Sequence, residues 1–202
     1  MAKNIGIFGG TFNPPHNGHI KAVECFKKAL NLGIVYVIPS GIPPHKSLGE
    51  NISGADRYNM SALAFCDIEG IFVSDYEIKK EGKSYSSVTV QHFKEQNPFD
   101  SLFLFTGTDM FLTLHNWYEP QVIFDNCTVG VLARYDGERE LLSKQSEYLK
   151  RQFNAKIRII PFPPIEISSS FIREQLKEGR DVKELLPESV LLYIKQKGLY
   201  LK

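Results

Sequence analysis

The sequence has few cysteines, no long hydrophobic run and almost no net charge. Three of its 202 residues are cysteines, Cys25, Cys66 and Cys127, with no C-x-x-C pair, so we expect small core side chains rather than disulfides or metal ligands. No stretch has the length of a transmembrane helix or the pattern of a signal peptide. The net charge of +1 gives no overall attraction for nucleic acid or acidic lipid. We therefore expect a cytoplasmic protein with no nucleic-acid or membrane partner, and any anion site must be local.

The sequence also lacks the two commonest phosphate-binding fingerprints. Neither G-x-x-x-x-G-K-[ST] nor G-x-G-x-x-G occurs in the chain. No Cys/His pairing indicates a covalent nucleophile, and no cluster of histidine and acidic residues has metal-ligand spacing, so we expect no protein-held metal. A phosphate site in this protein must therefore be built in another way.

Apolar runs alternate with amphipathic helical patterns along nearly the whole chain. The predicted strands are residues 5–8, 34–38, 71–74, 102–106, 128–133 and 156–160. The predicted helices are residues 20–30, 55–66, 87–95, 109–114, 119–124 and 138–151, followed by a helical part from about 168 to 202. This alternation predicts an α/β fold, a doubly wound, mainly parallel sheet with helices on both faces, in one domain spanning residues 1–202.

Residues 9–19 link the first predicted strand to the first helix and contain the pattern His16-x-Gly18-His19. Gly18 would allow close approach of the backbone, and the dipole and amides of a helix start favour an anion. Two histidines there suit stabilisation of a phosphoryl transition state. The plain alternative is a surface turn with one hydrogen-bonded histidine, but the whole segment favours a functional loop.

A second signal is the run Ser168-Ser169-Ser170-Phe171-Ile172-Arg173. The serines predict a helix start, and Arg173 is then expected in the first turn, the unfavourable end of the helix dipole for a cation. Polyphosphate bound by the arginine fork would explain this placement. The alternative is an ordinary capped helix with a solvated arginine.

Weaker signals lie between these two motifs. Lys46, in Pro43-Pro44-His45-Lys46, could contact phosphate, although a solvated lysine is the default. Trp117 could stack on a ring, although the residues alone favour a core position. Asp109, two residues after Gly107, could accept from ribose hydroxyls or cap the next helix.

Two expectations concern how these segments work together. Residues 82–86 could present backbone amides to an anionic substrate or form a helix cap, and the sequence leaves both open. Residues 9–19 and 107–109 both follow predicted parallel strands, so we expect them to meet at one edge of the sheet. Phosphoryl or nucleotidyl transfer by positioning and charge stabilisation is the chemistry that these groups favour.

These motifs resemble the nucleotidyltransferase superfamily that is marked by an [HT]-x-G-H loop and a late serine/threonine-arginine helix. Within it, the chain is similar over nearly its whole length to the bacterial nicotinate-nucleotide adenylyltransferase family. The further matching segments, in family order, are Pro43-Pro44-His45-Lys46, Ser84-Tyr85, Gly107-x-Asp109, Trp117-Tyr118 and Gly198-Leu199-Tyr200. The resemblance implies a Rossmann-like sheet, which agrees with the strand–helix alternation.

The resemblance also implies a reaction: ATP, with Mg²⁺, and nicotinate mononucleotide would give nicotinate adenine dinucleotide and pyrophosphate in NAD biosynthesis. The implied catalytic residues are His16, His19, Lys46 and Arg173. The implied ATP-binding residues are Gly9, Gly10, Thr11, Phe12, Gly18, Gly107, Asp109, Ser169, Ser170 and Ile172. The implied contacts with the mononucleotide come from Lys46, Ser86, Trp117 and Tyr118.

The chain departs from the family pattern at a few positions. Asn13 stands where the family often has Asp, and Val88 removes a carboxylate of the Ser-Tyr segment. A frequent Arg-Pro-Gly after the fifth strand is replaced by Ala133-Arg134-Tyr135-Asp136-Gly137, in which only the arginine is kept. Two alternatives stay open: another acceptor (nicotinamide mononucleotide, phosphopantetheine or a flavin nucleotide) and a regulatory protein that binds nucleotide without turnover. The sequence also leaves open whether the chain forms a homo-oligomer.

Overall fold

Six strands form one sheet in the part of the chain that the computed structural model describes, which is residues 2–43, 52–133, 136–163, 165 and 167–201. The strands are β1 Asn4–Gly10, β2 Ile34–Pro39, β3 Ile71–Val73, β4 Ser101–Thr106, β5 Cys127–Ala133 and β6 Lys156–Pro161. Their order in the sheet is β3-β2-β1-β4-β5-β6. This is the Rossmann-like order, so the predicted α/β fold class is confirmed.

Helices form most of the connections. They are α1 Asn17–Ala29, α2 Gly54–Phe65, α3 Tyr76–Lys79, α4 Ser86–Gln96, α5 Thr108–Leu112, α6 Pro120–Asn126, α7 Asp136–Phe153, α8 Ser169–Lys177 and α9 Glu188–Lys197, with a 3-10 turn at Leu114–Asn116. A capping box starts α2: the Asp56 amide donates to Ser53 Oγ at 3.0 Å, and the Ser53 amide donates to Asp56 Oδ2 at 3.3 Å. Gly198, with φ of 64°, ends α9 in the left-handed conformation.

The described residues group into two compact units. The first comprises Met1–Gly9, Glu24–Tyr36 and Tyr85–Pro164, and the second comprises Gly10–Val23, Val37–Ser84 and Ile165–Lys202. In the first unit, β4 pairs in parallel with β1 and β5, and the rings of Phe26 and Phe105 stack with centroids 4.0 Å apart. In the second unit, buried apolar side chains come from the segment after β1, from α2, and from α8 and α9: Phe12, Met60, Phe65, Ile172 and Ile194.

The structure corrects the sequence-based assignment of elements at several points. β1 continues through Gly10, so Gly9 and Gly10 end the strand instead of opening the loop; glycine is a poor strand former, so the apolar pattern stopped early. The four-residue helix α3 was not predicted, because it is too short to show a helical period. Arg173 is the fifth residue of α8, so its predicted place in the first turn is wrong by one residue, and the helix dipole opposes it less.

The three cysteines are free thiols. Cys127 is buried, and burial raises the pKa of its thiol to about 12. Cys66 is exposed at the end of α2, so the expectation that all three fill the core is wrong for this residue. None of the helices in the described ranges is both long and apolar enough to span a bilayer.

Candidate active site

Residues 11–19, which we call the histidine loop, connect β1 to α1. Phe12 has φ of 49°, a left-handed conformation that is rare for a bulky residue. Its ring is 2% exposed and lies edge-on to His19 and Phe65, with centroids 5.1 and 6.3 Å away. The ring thus anchors the loop in the core, which leaves the backbone of Phe12 as the part that could face a nucleotide.

The two histidines of the loop form a stacked pair. Their ring centroids are 3.7 Å apart at an interplanar angle of 31°. The backbone N–H of His16 donates to Nδ1 of His19 at 3.2 Å. Because Nδ1 accepts this bond, the neutral His19 ring must carry its proton on Nε2. The loop therefore fixes His19 as a hydrogen-bond donor through Nε2.

Gly18 makes room for the neighbouring imidazole. A Cβ at this position would lie 3.0 Å from both Cε1 and Nδ1 of His16, and 3.3 Å from Cγ2 of Ile165. Sequence reasoning assigned Gly18 to close approach of an anion. In the structure, the absence of a side chain lets the buried His16 ring lie against the backbone of residue 18.

The first amides of α1 already have hydrogen-bond partners. The Asn17 amide donates to the carbonyl of Leu185 at 2.9 Å. The amides of His19 and Ile20 donate to the carbonyl of His16 at 2.8 and 3.3 Å. An anion near this helix start would therefore depend more on side chains than on these three amides.

The start of α8 contacts the histidine loop directly. The Ser169 hydroxyl donates to the carbonyl of Pro14 at 2.9 Å, across 155 residues of sequence. Nη1 of Arg173 donates to the carbonyl of Asn13 at 2.8 Å, and Nη2 donates to Oγ of Ser170 at 3.2 Å. The two strongest motifs of the sequence thus form one hydrogen-bonded cluster.

Asn13 is held by its side chain as well as by its main chain. It is 7% exposed, and its Oδ1 accepts a short hydrogen bond from the hydroxyl of Tyr200. The amide oxygen can therefore accept this bond as a carboxylate oxygen would, although it brings no negative charge. Sequence reasoning placed Tyr200 in a segment that resembles the family but gave it no role, since that match says nothing of a contact with Asn13.

Arg57 is a buried residue of this cluster that sequence reasoning missed. It is completely buried, and its Nη1 and Nη2 donate to the carbonyls of Thr11 and Gly41 at 3.0 and 3.1 Å. Burial lowers the pKa of its guanidinium, whereas nearby Tyr200 and Glu77 raise that pKa. The sequence did contain a signal for its burial. Arg57 has the helical spacing of residues 60, 61 and 64, which form the buried face of α2.

The first residues after β2 are held by a close backbone contact and by hydrogen bonds. A Cβ on Gly41 would lie 2.1 Å from the carbonyl oxygen of Glu77, so only glycine fits there. The Gly41 amide donates to Ser84 Oγ, and the Ser84 amide donates to the carbonyl of Ile42, both at 2.9 Å. Lys46, with Pro44 and His45, lies outside the described residues, as do Arg134 and Tyr135. The role of Lys46 stays a prediction.

The predicted ATP residues of the first unit follow β4. Gly107 is the N-cap of α5, and Asp109 is an exposed residue of its first turn. Asp109 therefore does not cap this helix. Of its two predicted roles, only the contact with ribose hydroxyls stays open. Since Ile7 pairs with Leu104 in parallel register, β1 and β4 end at the same edge of the sheet, close to Gly9 and Gly107. That residues 11–19 meet residues 107–109 stays a prediction.

Three of the predicted mononucleotide contacts, Ser86, Trp117 and Tyr118, lie in the first unit. Trp117 is half-buried, so the preference for a core position is wrong, whereas ring stacking stays open. Tyr118 is 50% exposed, and its ring lies 4.5 Å from that of Tyr85. Ser86 begins α4, and among the described groups the N-cap residue Tyr85 makes no side-chain cap bond. The amides at the start of α4 are thus not covered by their own N-cap side chain.

A model of the cytidylyltransferase-like family matches residues 7–175, a span that includes the histidine loop and the first turns of α8. Fold and site together define the class, a nucleotidyltransferase. Two curated relatives are both named probable nicotinate-nucleotide adenylyltransferase. The one from Clostridium tetani is 35% identical over 198 residues, covering 98% of this chain and 99% of the relative. The one from Desulfitobacterium hafniense strain Y51 is 39% identical over 202 residues, covering 98% and 96%.

The chain therefore belongs to the cytidylyltransferase-like family and, within it, to the nicotinate-nucleotide adenylyltransferases. Solved structures agree on the fold. Plasmodium falciparum nicotinic acid mononucleotide adenylyltransferase, complexed with NaAD, superposes with a TM-score of 0.79 at 22% identity, covering 98% of this chain and 97% of that one. A putative nicotinate-nucleotide adenylyltransferase from Vibrio parahaemolyticus gives 0.69 at 21% identity, covering 98% and 95%.

Proposed function

We propose that this chain transfers the adenylyl group of ATP to nicotinate mononucleotide, giving nicotinate adenine dinucleotide and pyrophosphate, a step of NAD biosynthesis. The observation that carries the proposal is the hydrogen-bonded cluster in which Ser169 and Arg173 hold the carbonyls of Pro14 and Asn13, beside the stacked histidines. Family membership supports nucleotidyl transfer, and the names of the relatives support the acceptor.

In the proposed reaction, an oxygen of the mononucleotide phosphate forms a bond to the α-phosphorus of ATP. The bond from that phosphorus to the α–β bridging oxygen breaks, and pyrophosphate leaves with the electron pair. His19 donates through Nε2 to the charge that develops on the α-phosphate, with His16 beside it. Arg173, together with the start of α8, binds the β- and γ-phosphates. The chain acts by positioning and charge stabilisation.

The remaining residues of the site serve binding in this proposal. Those that contact ATP are Gly9, Gly10, Thr11, Phe12, Gly18, Gly107, Asp109, Ser169, Ser170 and Ile172. Those that contact the mononucleotide are Lys46, Ser86, Trp117 and Tyr118. The half-buried ring of Trp117 stacks on the pyridine. The amides near Ser86 and Tyr118 meet the nicotinate carboxylate, because a helix start favours an anion.

Mg²⁺ accompanies ATP in this proposal, and we infer that it arrives bound to the nucleotide. Mg²⁺ prefers carboxylate and phosphate oxygens. The cluster around the histidine loop offers imidazoles, hydroxyls and a guanidinium instead, and the described part of the chain contains no group of three or more His, Cys, Asp or Glu suited to a metal. The phosphates of the nucleotide would carry the ion.

The setting of the reaction is part of the proposal. The net charge of +1 favours small-molecule substrates over nucleic acid. ATP and a mononucleotide are cytoplasmic metabolites, so we place the protein in the cytoplasm. Residues 1–202 act together as one nucleotidyltransferase domain.

The test is pyrophosphate release from ATP with a panel of acceptors. Purified protein with ATP and Mg²⁺ should release pyrophosphate faster with nicotinate mononucleotide than with nicotinamide mononucleotide. Phosphopantetheine and flavin mononucleotide should give only background, because neither presents a pyridine carboxylate. Equal or reversed rates for the two pyridine nucleotides would contradict the nicotinate preference. ATP binding without pyrophosphate from any acceptor would contradict the proposed enzyme.

A further inference from the structure

The end of the chain turns back after α9 and directs Tyr200 inward. Gly198 ends the helix with φ of 64°, and the Leu199 amide donates to the carbonyl of Ile194 at 3.0 Å. Tyr200 itself has φ of 61°. The left-handed region is unfavourable for a non-glycine residue, so the surrounding structure must hold Tyr200 there.

The hydroxyl of Tyr200 is the contact that this turn provides. It donates to Oδ1 of Asn13, whose carbonyl accepts from Nη1 of Arg173 at 2.8 Å. Burial raises the pKa of Tyr200, although nearby Arg173 and Arg57 lower it, and the phenol stays protonated as a donor. Three residues from distant parts of the sequence thus form one chain of hydrogen bonds, with Asn13 in the middle.

We propose that Tyr200 is a positioning residue for the adenylyl-transfer reaction, which acts through Asn13 to hold Arg173 and the histidine loop in the geometry that ATP requires. The inference rests on the proposed function, because it takes Arg173 as a ligand of the polyphosphate. A shift of about 1 Å in a positioned group can lower a rate by up to about 10²-fold. A hydroxyl that touches no substrate can therefore control the rate.

A second tyrosine supplies the matched control. The hydroxyl of Tyr193, on α9, donates to Asp56 Oδ1 at 2.9 Å and accepts from Asn59 Nδ2 at 3.1 Å. These two bonds connect α9 with α2. Among the hydrogen bonds of the described residues, none joins Tyr193 to Asn13. Tyr193→Phe removes a hydroxyl of the same kind from the same end of the chain without removing the Tyr200–Asn13 bond.

The experiment compares Tyr200→Phe with Tyr193→Phe in the full chain. We expect Tyr200→Phe to lower kcat about tenfold and to weaken ATP binding in calorimetry, while the KM for nicotinate mononucleotide stays within about twofold. Tyr193→Phe should lower the melting temperature at least as much and leave kcat within about twofold. Equal kcat values for the two variants, or a wild-type kcat for Tyr200→Phe, would overturn the inference.

A double-mutant cycle tests the route through Asn13. Asn13→Ala should cost about as much kcat as Tyr200→Phe, and the double variant should cost no more than the larger single effect. Asn13→Asp keeps an acceptor oxygen, so it should retain activity and stay sensitive to Tyr200→Phe. Additive losses would overturn the inference.

The failure of the proposed function would look different. If the wild type binds ATP but releases no pyrophosphate, the adenylyltransferase proposal fails, and the ATP dissociation constants of the same variants still decide the role of Tyr200. If the wild type binds no ATP, both proposals fail.

Discussion

The histidine loop is tied by hydrogen bonds to distant helices, whereas residues 109–118 expose several of their side chains. Three carbonyls of the loop, those of Thr11, Asn13 and Pro14, each accept a hydrogen bond from a side chain of α2 or α8. In the other segment, Asp109 and Tyr118 are exposed. The region proposed for phosphate chemistry is thus held rigidly in advance, as charge stabilisation requires.

The contrast agrees with the different tasks that we propose for the two regions. In the proposed reaction, charge stabilisation at phosphorus requires a fixed geometry. Exposed side chains at helix ends can change without disturbing a core. Substitutions in the loop cluster should therefore affect kcat or stability, and substitutions at the exposed positions should affect KM.

The largest effect is expected at His19. His19→Ala should lower kcat by about 10²–10³-fold, because it removes the Nε2 donor from the transition state. His19→Asn should be similarly impaired, since its oxygen can still accept the His16 amide but no group replaces Nε2. His19→Gln should keep more activity, because its amide nitrogen lies near the Nε2 position. Steady-state kinetics of pyrophosphate release measures all three.

Two outcomes would break this assignment. One is His19→Asn with wild-type kcat, which would mean that the Nδ1 contact alone matters. The other is a loss confined to thermal stability in all three variants, which would give His19 a core role. His92→Ala, a change at a half-buried histidine of α4, is the control and should leave kcat unchanged.

The second-largest effect is expected at Arg57, and it should fall mainly on the stability of the fold. Arg57→Met leaves buried Glu77 without this nearby cation and leaves two carbonyls without their donor, so the free energy of unfolding should fall by roughly 3 kcal/mol. Arg57→Lys should cost less, because an ammonium group keeps the charge but cannot span both carbonyls. Urea unfolding measures both.

A double-mutant cycle with Glu77 decides whether the lost charge of Arg57 causes the loss of stability. Arg57→Met combined with Glu77→Gln should recover part of the loss, since both buried charges are then removed. Arg151→Met, at an exposed arginine of α7, should change stability by less than about 0.5 kcal/mol. No recovery in the double variant would mean that the two carbonyl contacts carry the whole effect.

The sequence predicted the fold better than it predicted the cluster. Strand–helix alternation gave the α/β class, because periodicity reports which face of each element is buried. The histidine and serine-arginine motifs were recognisable because each is contiguous. The contacts of Arg57 and Tyr200 were not recognisable in the sequence. A side chain that donates to a distant backbone carbonyl or side-chain amide leaves no local pattern.

Some of that information was nevertheless in the sequence. Arg57 occupies the helical face that also carries Met60, Ser61 and Ala64, so residue spacing alone places a charge on the buried stripe of α2. Tyr200 had no such signal, because its inward direction depends on the turn at Gly198 and on its own left-handed φ. The contact between Gly18 and the ring of His16 was not visible in the sequence for a similar reason, since the two groups meet only in space.

Trp117 should show the pattern expected of the exposed region. Trp117→Ala should raise the KM for nicotinate mononucleotide about tenfold, since loss of ring stacking costs about 1–3 kcal/mol. The KM for ATP should change little, and Trp117→Phe should keep most of the affinity. Phe99→Ala, at an aromatic ring that is 89% exposed, is the control. An unchanged KM with lower stability would make Trp117 a packing residue and would weaken the contrast between the regions.

The smallest effect is expected at Asp109. Asp109→Ala should raise the KM for ATP about fivefold with kcat unchanged, because one hydrogen bond to a ribose hydroxyl is worth about 1 kcal/mol. Asp67→Ala, at another exposed carboxylate, should have no effect. The wild type should bind 2′-deoxy-ATP or 3′-deoxy-ATP more weakly than ATP, and the analogue that lacks the contacted hydroxyl should lose nothing further in Asp109→Ala. If Asp109→Ala weakens ATP and both analogues equally, Asp109 does not act through a ribose hydroxyl, and attraction of its carboxylate to the Mg²⁺ that accompanies the phosphates would explain the loss and blur the contrast between the regions.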